Sequence, residues 1–228
     1  MTTRPVPVPA SSWFRAKYAA FAFVFVMMAY VLNHNERFLI DSADGIWKHY
    51  QPFKWWLLPH GAAAACALLL GPMQFSDRLR RRYIKLHRVL GWIYVCGALI
   101  GAPLGTYIQY RFNERLGDSR SFTIATVVDA VLWMTTTTIA LIFARRGKIQ
   151  QHRQWMTRSY AVAIVFLEVR FISGVGGWDS SGPAATEIIV WASIALALLW
   201  ADIANQWQDL WPARAPVKAK AMAPATAQ

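Results

Sequence analysis

The chain holds five histidines, and four of them sit where one flat ligand could be held between two imidazoles. His34 and His60 lie near one end of the apolar runs, and His87 and His152 lie near the other. A bis-histidine haem needs two imidazoles at one depth on facing helices. The sequence offers two such levels, His34 with His60 and His87 with His152, separated by roughly 20–25 Å at 1.5 Å rise per residue. Iron at both levels would carry electrons across a membrane. A second reading competes with this one. His87-Arg88 and His152-Arg153 each lie in a basic loop, where such a pair also holds lipid phosphate or caps a helix.

The apolar runs contain four ionisable residues, His60, Asp129, Glu168 and Arg170. Such groups are costly in hydrocarbon, so each is a candidate for function. By position in their runs all four fall within roughly 8–14 Å of the boundary opposite the basic loops. That common depth suggests a polar cavity lined by Asp129, Glu168 and Arg170, with His60 at its side. Alternatively, Arg170 pairs with Asp129 or Glu168 and merely fixes helix packing. Glu168 and Arg170 are two residues apart and point to different faces, so at least one needs another partner. Asp129 or Glu168 with His60 makes only a thin signal for a lone metal ion. Thr135–Thr138 can bond their own helix backbone and receive no role. No phosphate-binding glycine loop, HExxH, CxxC or serine-triad order occurs, and Cys66 and Cys96 read as small buried apolar groups.

The elements that must carry these residues are membrane spans. The chain has 228 residues, 56% hydrophobic, with 12 Trp. Apolar runs of about 20 residues suit a bilayer. Six are predicted, over 16–33, 55–75, 89–110, 122–144, 157–177 and 185–203, and they leave no room for a separate soluble domain. The net charge of +12 reads as topology rather than as a nucleic-acid surface: of the 24 Lys and Arg, 17 fall on one side, six on the other and Arg170 inside a run. This bias puts both termini in the cytoplasm. The first run lacks a small-x-small cleavage pattern and is read as a retained span. Residues 1–15 and 209–228 read as disordered tails around a transmembrane domain over 16–208. Trp200, Trp207 and Trp211 suit the inner interface as anchors. The long loop 34–54, with Glu36, Arg37, Asp41, Asp44, Lys48 and His49, suits a short helix along the membrane surface, limited by Gly45 and Pro52.

Two further patterns concern packing. Gly97, Gly101 and Gly105 form one stripe on the third run, open to close approach by another helix or by a flat cofactor, with helix packing the commoner use. Pro103 should kink that helix. A weak repeat relates runs two and three to runs four and five. In each, a basic loop leads to His-Arg, then Trp92 or Trp155, then Tyr94 or Tyr160, at spacings of seven and eight from the histidine. Duplication and two independent basic loops explain this about equally well.

His60, Gly71-Pro72-x-Gln74-Phe75, Leu86-His87-Arg88-x-x-Gly91, Tyr94, His152-Arg153-x-Trp155-Met156-x-Arg158-Ser159-Tyr160 and Arg170 together resemble a family of predicted bacterial membrane proteins, domain of unknown function family 2306. The resemblance covers about 55–175. It implies a multi-span inner-membrane protein and no particular reaction, and it marks the matching histidines and Arg170 as site candidates. A looser similarity is to b-type membrane cytochromes of the cytochrome b-561 and ferric-reductase type. The expectation is therefore an all-α bundle with a four-helix core of spans two to five. Its expected role is redox, with haem b on His60, His87, His152 or His34, and quinone or other membrane redox proteins as partners beside the lipid bilayer. The alternative is a non-catalytic membrane protein, either a small-solute transporter or an accessory subunit of a larger membrane complex.

Overall fold

The computed structural model describes residues 12–37 and 45–210, and among them the fold is entirely helical. The chain forms α1 (Ser12–His34), α2 (Gly45–Tyr50), α3 (Lys54–Gln74), α4 (Asp77–Arg82), α5 (Ile84–Leu116), α6 (Arg120–Arg145), α7 (Ile149–Ala163), α8 (Val165–Val175), α9 (Pro183–Asn205) and α10 (Trp207–Leu210). Five stretches, in α1, α3, α5, α6 and α9, are long and apolar enough to cross a membrane. The run expected as one span over 157–177 is instead the end of α7 followed by α8, which meet at Ile164. β-Branched Val162, Ile164 and Val165 weaken helix preference there. The amide of Ile164 still reaches the Tyr160 carbonyl at 3.3 Å, so the chain continues in nearly the same direction.

Helix α1 begins at Ser12, inside the stretch expected as a tail, and α10 extends to Leu210. The remainder of both expected tails, residues 38–44 of the long loop and Trp211 lie outside the described residues. Helix α2 occupies the place expected for a short surface helix and is followed by a 3-10 turn at Gln51–Phe53 that includes Pro52.

Local chemistry sets several boundaries. Ser76 caps α4 by accepting from the Leu79 amide at 3.2 Å, with Asp77 in its first turn and Arg80, Arg81 and Arg82 in its last. Ser119 caps α6 by accepting from the Phe122 amide at 3.0 Å. Gly117 takes φ +72° at the end of α5, a conformation that favours glycine.

The core is a bundle of α3, α5, α6 and α7–α8, with α1 and α9 on its flanks. The glycine stripe of α5 faces α3. A Cβ at Gly97 would lie 2.7 Å from the Ala63 carbonyl oxygen, and one at Gly105 would lie 2.7 Å from His60 Cε1. Helix packing, rather than a flat cofactor, therefore fills this stripe. Helix α5 runs through Pro103. Helix α9 is tied to α7 by Arg158 with Asp202 at 2.6 Å and by Asn205 donating to the Gln154 carbonyl at 3.2 Å. Helix α1 leans on α8: Tyr30 and Phe23 meet Phe171 edge-on, and the Tyr30 hydroxyl fits over Gly174.

Candidate functional site

Three core helices are locked by a ring of side-chain hydrogen bonds. Tyr94 of α5 and Ser159 of α7 share a bond of 2.8 Å, and Ser159 and Thr137 of α6 share one of 2.7 Å. Thr137 donates to the Trp133 carbonyl at 2.7 Å, and the Trp133 indole N–H donates to the Tyr94 oxygen at 3.4 Å. A hydroxyl has one proton, so these contacts fix every direction. Thr137 gives its proton to Trp133, so Ser159 donates to Thr137 and Tyr94 donates to Ser159. The circuit begins and ends on Trp133, and each member is buried and satisfied.

This ring sets the register of the histidines. His87 is seven residues before Tyr94, and His152 is seven residues before Ser159. Seven residues are nearly two helical turns, so each histidine lies on the same face as its ring member. Helices α5 and α7 run the same way from their basic loops, so His87 and His152 lie at one level, about 10 Å nearer those loops. His152 is near enough for its charge to act on His87. The imperfect repeat of the sequence, seven against eight, becomes equal once Ser159 replaces Tyr160 as the partner of Tyr94. Tyr160 turns instead towards α3. Its hydroxyl donates to the Leu68 carbonyl at 3.2 Å, and its ring covers Gly71, where a Cβ would collide with the ring.

The two imidazoles are held differently. His152 Nδ1–H donates to the Ala140 carbonyl at 2.9 Å, which leaves Nε2 as the free nitrogen. Burial holds its pKa below the ordinary imidazole value, with Arg80 and Arg153 acting in the same direction and the Ala140 bond opposing them. His87 Nδ1 is buried without a hydrogen-bond partner. Beside it the Gln74 amide, on a residue only 9% exposed, rests against α5 at Gly91, and its Nε2 also lacks a partner. Arg80 is close enough to act on both histidines and is paired with Asp77.

On the opposite side the four residues read as one cavity divide. His60 Nδ1–H donates to the Gly101 carbonyl at 2.8 Å, and its Cε1 edge is pressed on Gly105. That edge faces α5, while His34 stacks on Tyr30 of its own helix α1, 5.2 Å between centroids. The two rings are thus not turned towards one another. Arg170 pairs with Glu36 at the end of α1, not with Asp129 or Glu168. Asp129 is 5% exposed, with Oδ1 unpartnered, and Glu168 is near enough for its charge to act on it. No cluster of three or more His, Cys, Asp or Glu suited to a metal ion exists among the described residues.

Sequence reasoning passed over Ser159, Gln74 and Thr137. Thr137 does bond its own helix backbone as expected, but it also closes the ring. The signal for Ser159 was present in the equal spacing of seven. Only tertiary contacts could reveal Gln74 as buried and unpaired.

A family described as "Predicted membrane protein (DUF2306)" matches residues 57–204. No curated protein and no solved structure matches the chain.

Proposed function

We propose, from the premise that the chain belongs to the DUF2306 family of predicted membrane proteins, a redox role inside the bilayer: His87 and His152 hold one b-type haem, and electrons pass to or from a quinone. The register of the two histidines carries this reading. The hydrogen-bonded Tyr94–Ser159 pair sets two parallel helices level, which supports reading the histidines two turns away as a pair at one depth. The donor set fits. One imidazole has its Nδ1–H fixed by a backbone carbonyl, as ligating histidines usually do, and Nε2 is left for iron. Arg80, Arg88 and Arg153 surround the pair and suit two propionates.

Bound haem would supply one-electron chemistry at this level. The chain's own groups orient the imidazoles, exclude water with Trp133, Tyr94 and Tyr160, and place arginines at the membrane edge. The outer level, His34 with His60, is not carried forward, because His60 is turned into α5. Under the positive-inside rule the basic loops face the cytoplasm of a bacterial inner membrane. One observation favours a second reading, a small-solute carrier: the unpartnered Asp129 oxygen beside Glu168, within the membrane-spanning core.

Absorption spectra of the purified protein, oxidised and dithionite-reduced, with haem extraction, test the proposal. Stoichiometric haem with a reduced b-type band, lost in His87→Ala and in His152→Ala but kept in His34→Ala, is expected. A colourless, folded protein from haem-replete cells would refute it and direct attention to Asp129 and Glu168.

A further inference from the structure

We infer that Gln74 and His87 together bind one oxygen of a quinone head group, an inference that rests on the redox reading and supplies its second partner. The sequence Gly71-Pro72-Met73-Gln74 ends α3 beside the basic loop, and three features turn this terminus into a site. First, Gln74 is buried, and its Nε2 makes no hydrogen bond, although an amide N–H in such surroundings ordinarily finds one. Secondly, Gly91 gives the amide its place: a Cβ there would lie 3.2 Å from Gln74 Oε1. Thirdly, His87 lies on the same face of α5, one turn from Gly91, and its Nδ1 is also buried and unpaired.

Two unpaired nitrogen groups thus approach one region of α5 from different helices. The Gln74 Nε2 can only donate, and His87 Nδ1 donates when the ring uses Nε2 elsewhere. Two donors converging where a span begins fit an acceptor oxygen carried by an otherwise apolar molecule. A quinone carbonyl meets that description: its polar end would sit among Gln74, His87 and Phe75, and its tail would lie in lipid. A phosphate oxygen shares the acceptor chemistry but brings a charge that draws it towards Arg80 and the basic loop. The burial of Gln74, only 9% exposed at the end of the span, favours the neutral head group, since a charge taken into that place would lose its hydration. With His87 Nε2 on iron and Nδ1–H on the quinone oxygen, one imidazole would join the two redox partners. Haem bound there would supply the electron, and the hydrogen bonds from Gln74 and His87 would strengthen as negative charge grew on the quinone oxygen.

The test is binding of a short-chain ubiquinone and of a short-chain menaquinone to the full chain in detergent, read by quenching of tryptophan fluorescence. Infrared spectra of the bound quinone, carbonyl-labelled, are recorded alongside. Saturable binding and a carbonyl stretch lowered from that of free quinone are expected. Gln74→Met, which keeps the volume and removes the donor, should weaken binding by about threefold to tenfold, the value of one hydrogen bond, and return part of the stretch. Gln74→Asn covers the case in which Met does not fold. Absence of saturable binding overturns the inference, as does unchanged binding in folded Gln74→Met, or displacement of the quinone by inorganic phosphate. These readouts need no haem. A colourless protein that binds quinone through Gln74 would remove the haem and leave this site standing. A haem protein blind to quinone would do the reverse.

Discussion

Gly97→Ala and Gly101→Ala place the same methyl group on the same face of α5, one turn apart, yet they should behave differently. At position 97 the new Cβ would lie 2.7 Å from the Ala63 carbonyl oxygen, and at 101 its nearest neighbour would be Ala63 Cβ at 3.5 Å. A carbon ordinarily approaches a carbonyl oxygen to about 3.3–3.6 Å, so α3 would retreat by roughly 0.6–0.9 Å at position 97. A gap of that size forfeits about a quarter to a half of the dispersion energy of the atoms it separates. Backbone, unlike a side-chain tip, cannot swing away. Overpacking of this kind costs about 1–3 kcal/mol. Exchanging helical Gly for Ala returns about 0.5–1 kcal/mol, but both variants share that gain. The difference between them therefore isolates the contact, at about 1–3 kcal/mol, or roughly 2–12 °C in the unfolding midpoint of a chain this size. Circular dichroism during heating in mild detergent measures it. Equal midpoints for the two variants would show that α3 does not rest on this stripe, and the packing account of the glycines would be wrong. Gly105→Ala gives an internal check: its clash is with the His60 ring, so His60→Ala in the same chain should recover part of the loss.

Ser159→Ala should destabilise the bundle by about 1–3 kcal/mol, because Tyr94 and Thr137 each lose a buried partner; a shift near zero in the same melt would remove the ring from the account. A double-mutant cycle on Glu36 and Arg170 should give a coupling of about 0.5–3 kcal/mol, the range for residues in direct contact, and the single variants should make the α1 end more sensitive to protease. Coupling of zero with unchanged proteolysis would refute the pairing. Stability should fall as pH drops through and below the ordinary imidazole range. His152 has a lowered folded pKa, so the unfolded chain binds the proton more readily and acid favours unfolding. Chemical denaturation at a series of pH values should show this dependence flatten in His152→Gln, and an unchanged slope would exclude the residue as its source.

The helical class was legible because apolar runs of bilayer length have few other uses, and five of the six predicted runs correspond to single helices. The remaining run falls on two helices, because hydropathy does not report the break at Ile164, where no proline or glycine marks it. The glycine stripe was readable as packing, since close spacing of small residues says that something approaches. What approached, the Ala63 carbonyl and the His60 ring, depends on the rotation of α3. Depth counted along the chain grouped His60, Asp129, Glu168 and Arg170. Depth is one coordinate, however, and azimuth, the angle around each helix, separates Arg170 from Glu168 and turns His60 into α5. For His87 and His152 the equal spacing of seven from Tyr94 and Ser159 puts the two residues at one level, and depth is again the only coordinate that the spacing supplies.

The lean of α1 on α8 has a consequence for how the protein is made. Glu36 and Tyr30 leave the ribosome well before the groups they meet, Arg170 and Gly174, which follow about 134 and 144 residues later. At ~5–20 residues per second that delay is on the order of ten seconds. Through that interval the first helix sits in the translocation machinery or in lipid without its final neighbour. Meanwhile α3 and α5, joined by a short basic connection, can already close on one another as a hairpin. The α3–α5 hairpin would then close first, and α1, although made before it, would dock only after α8 had followed.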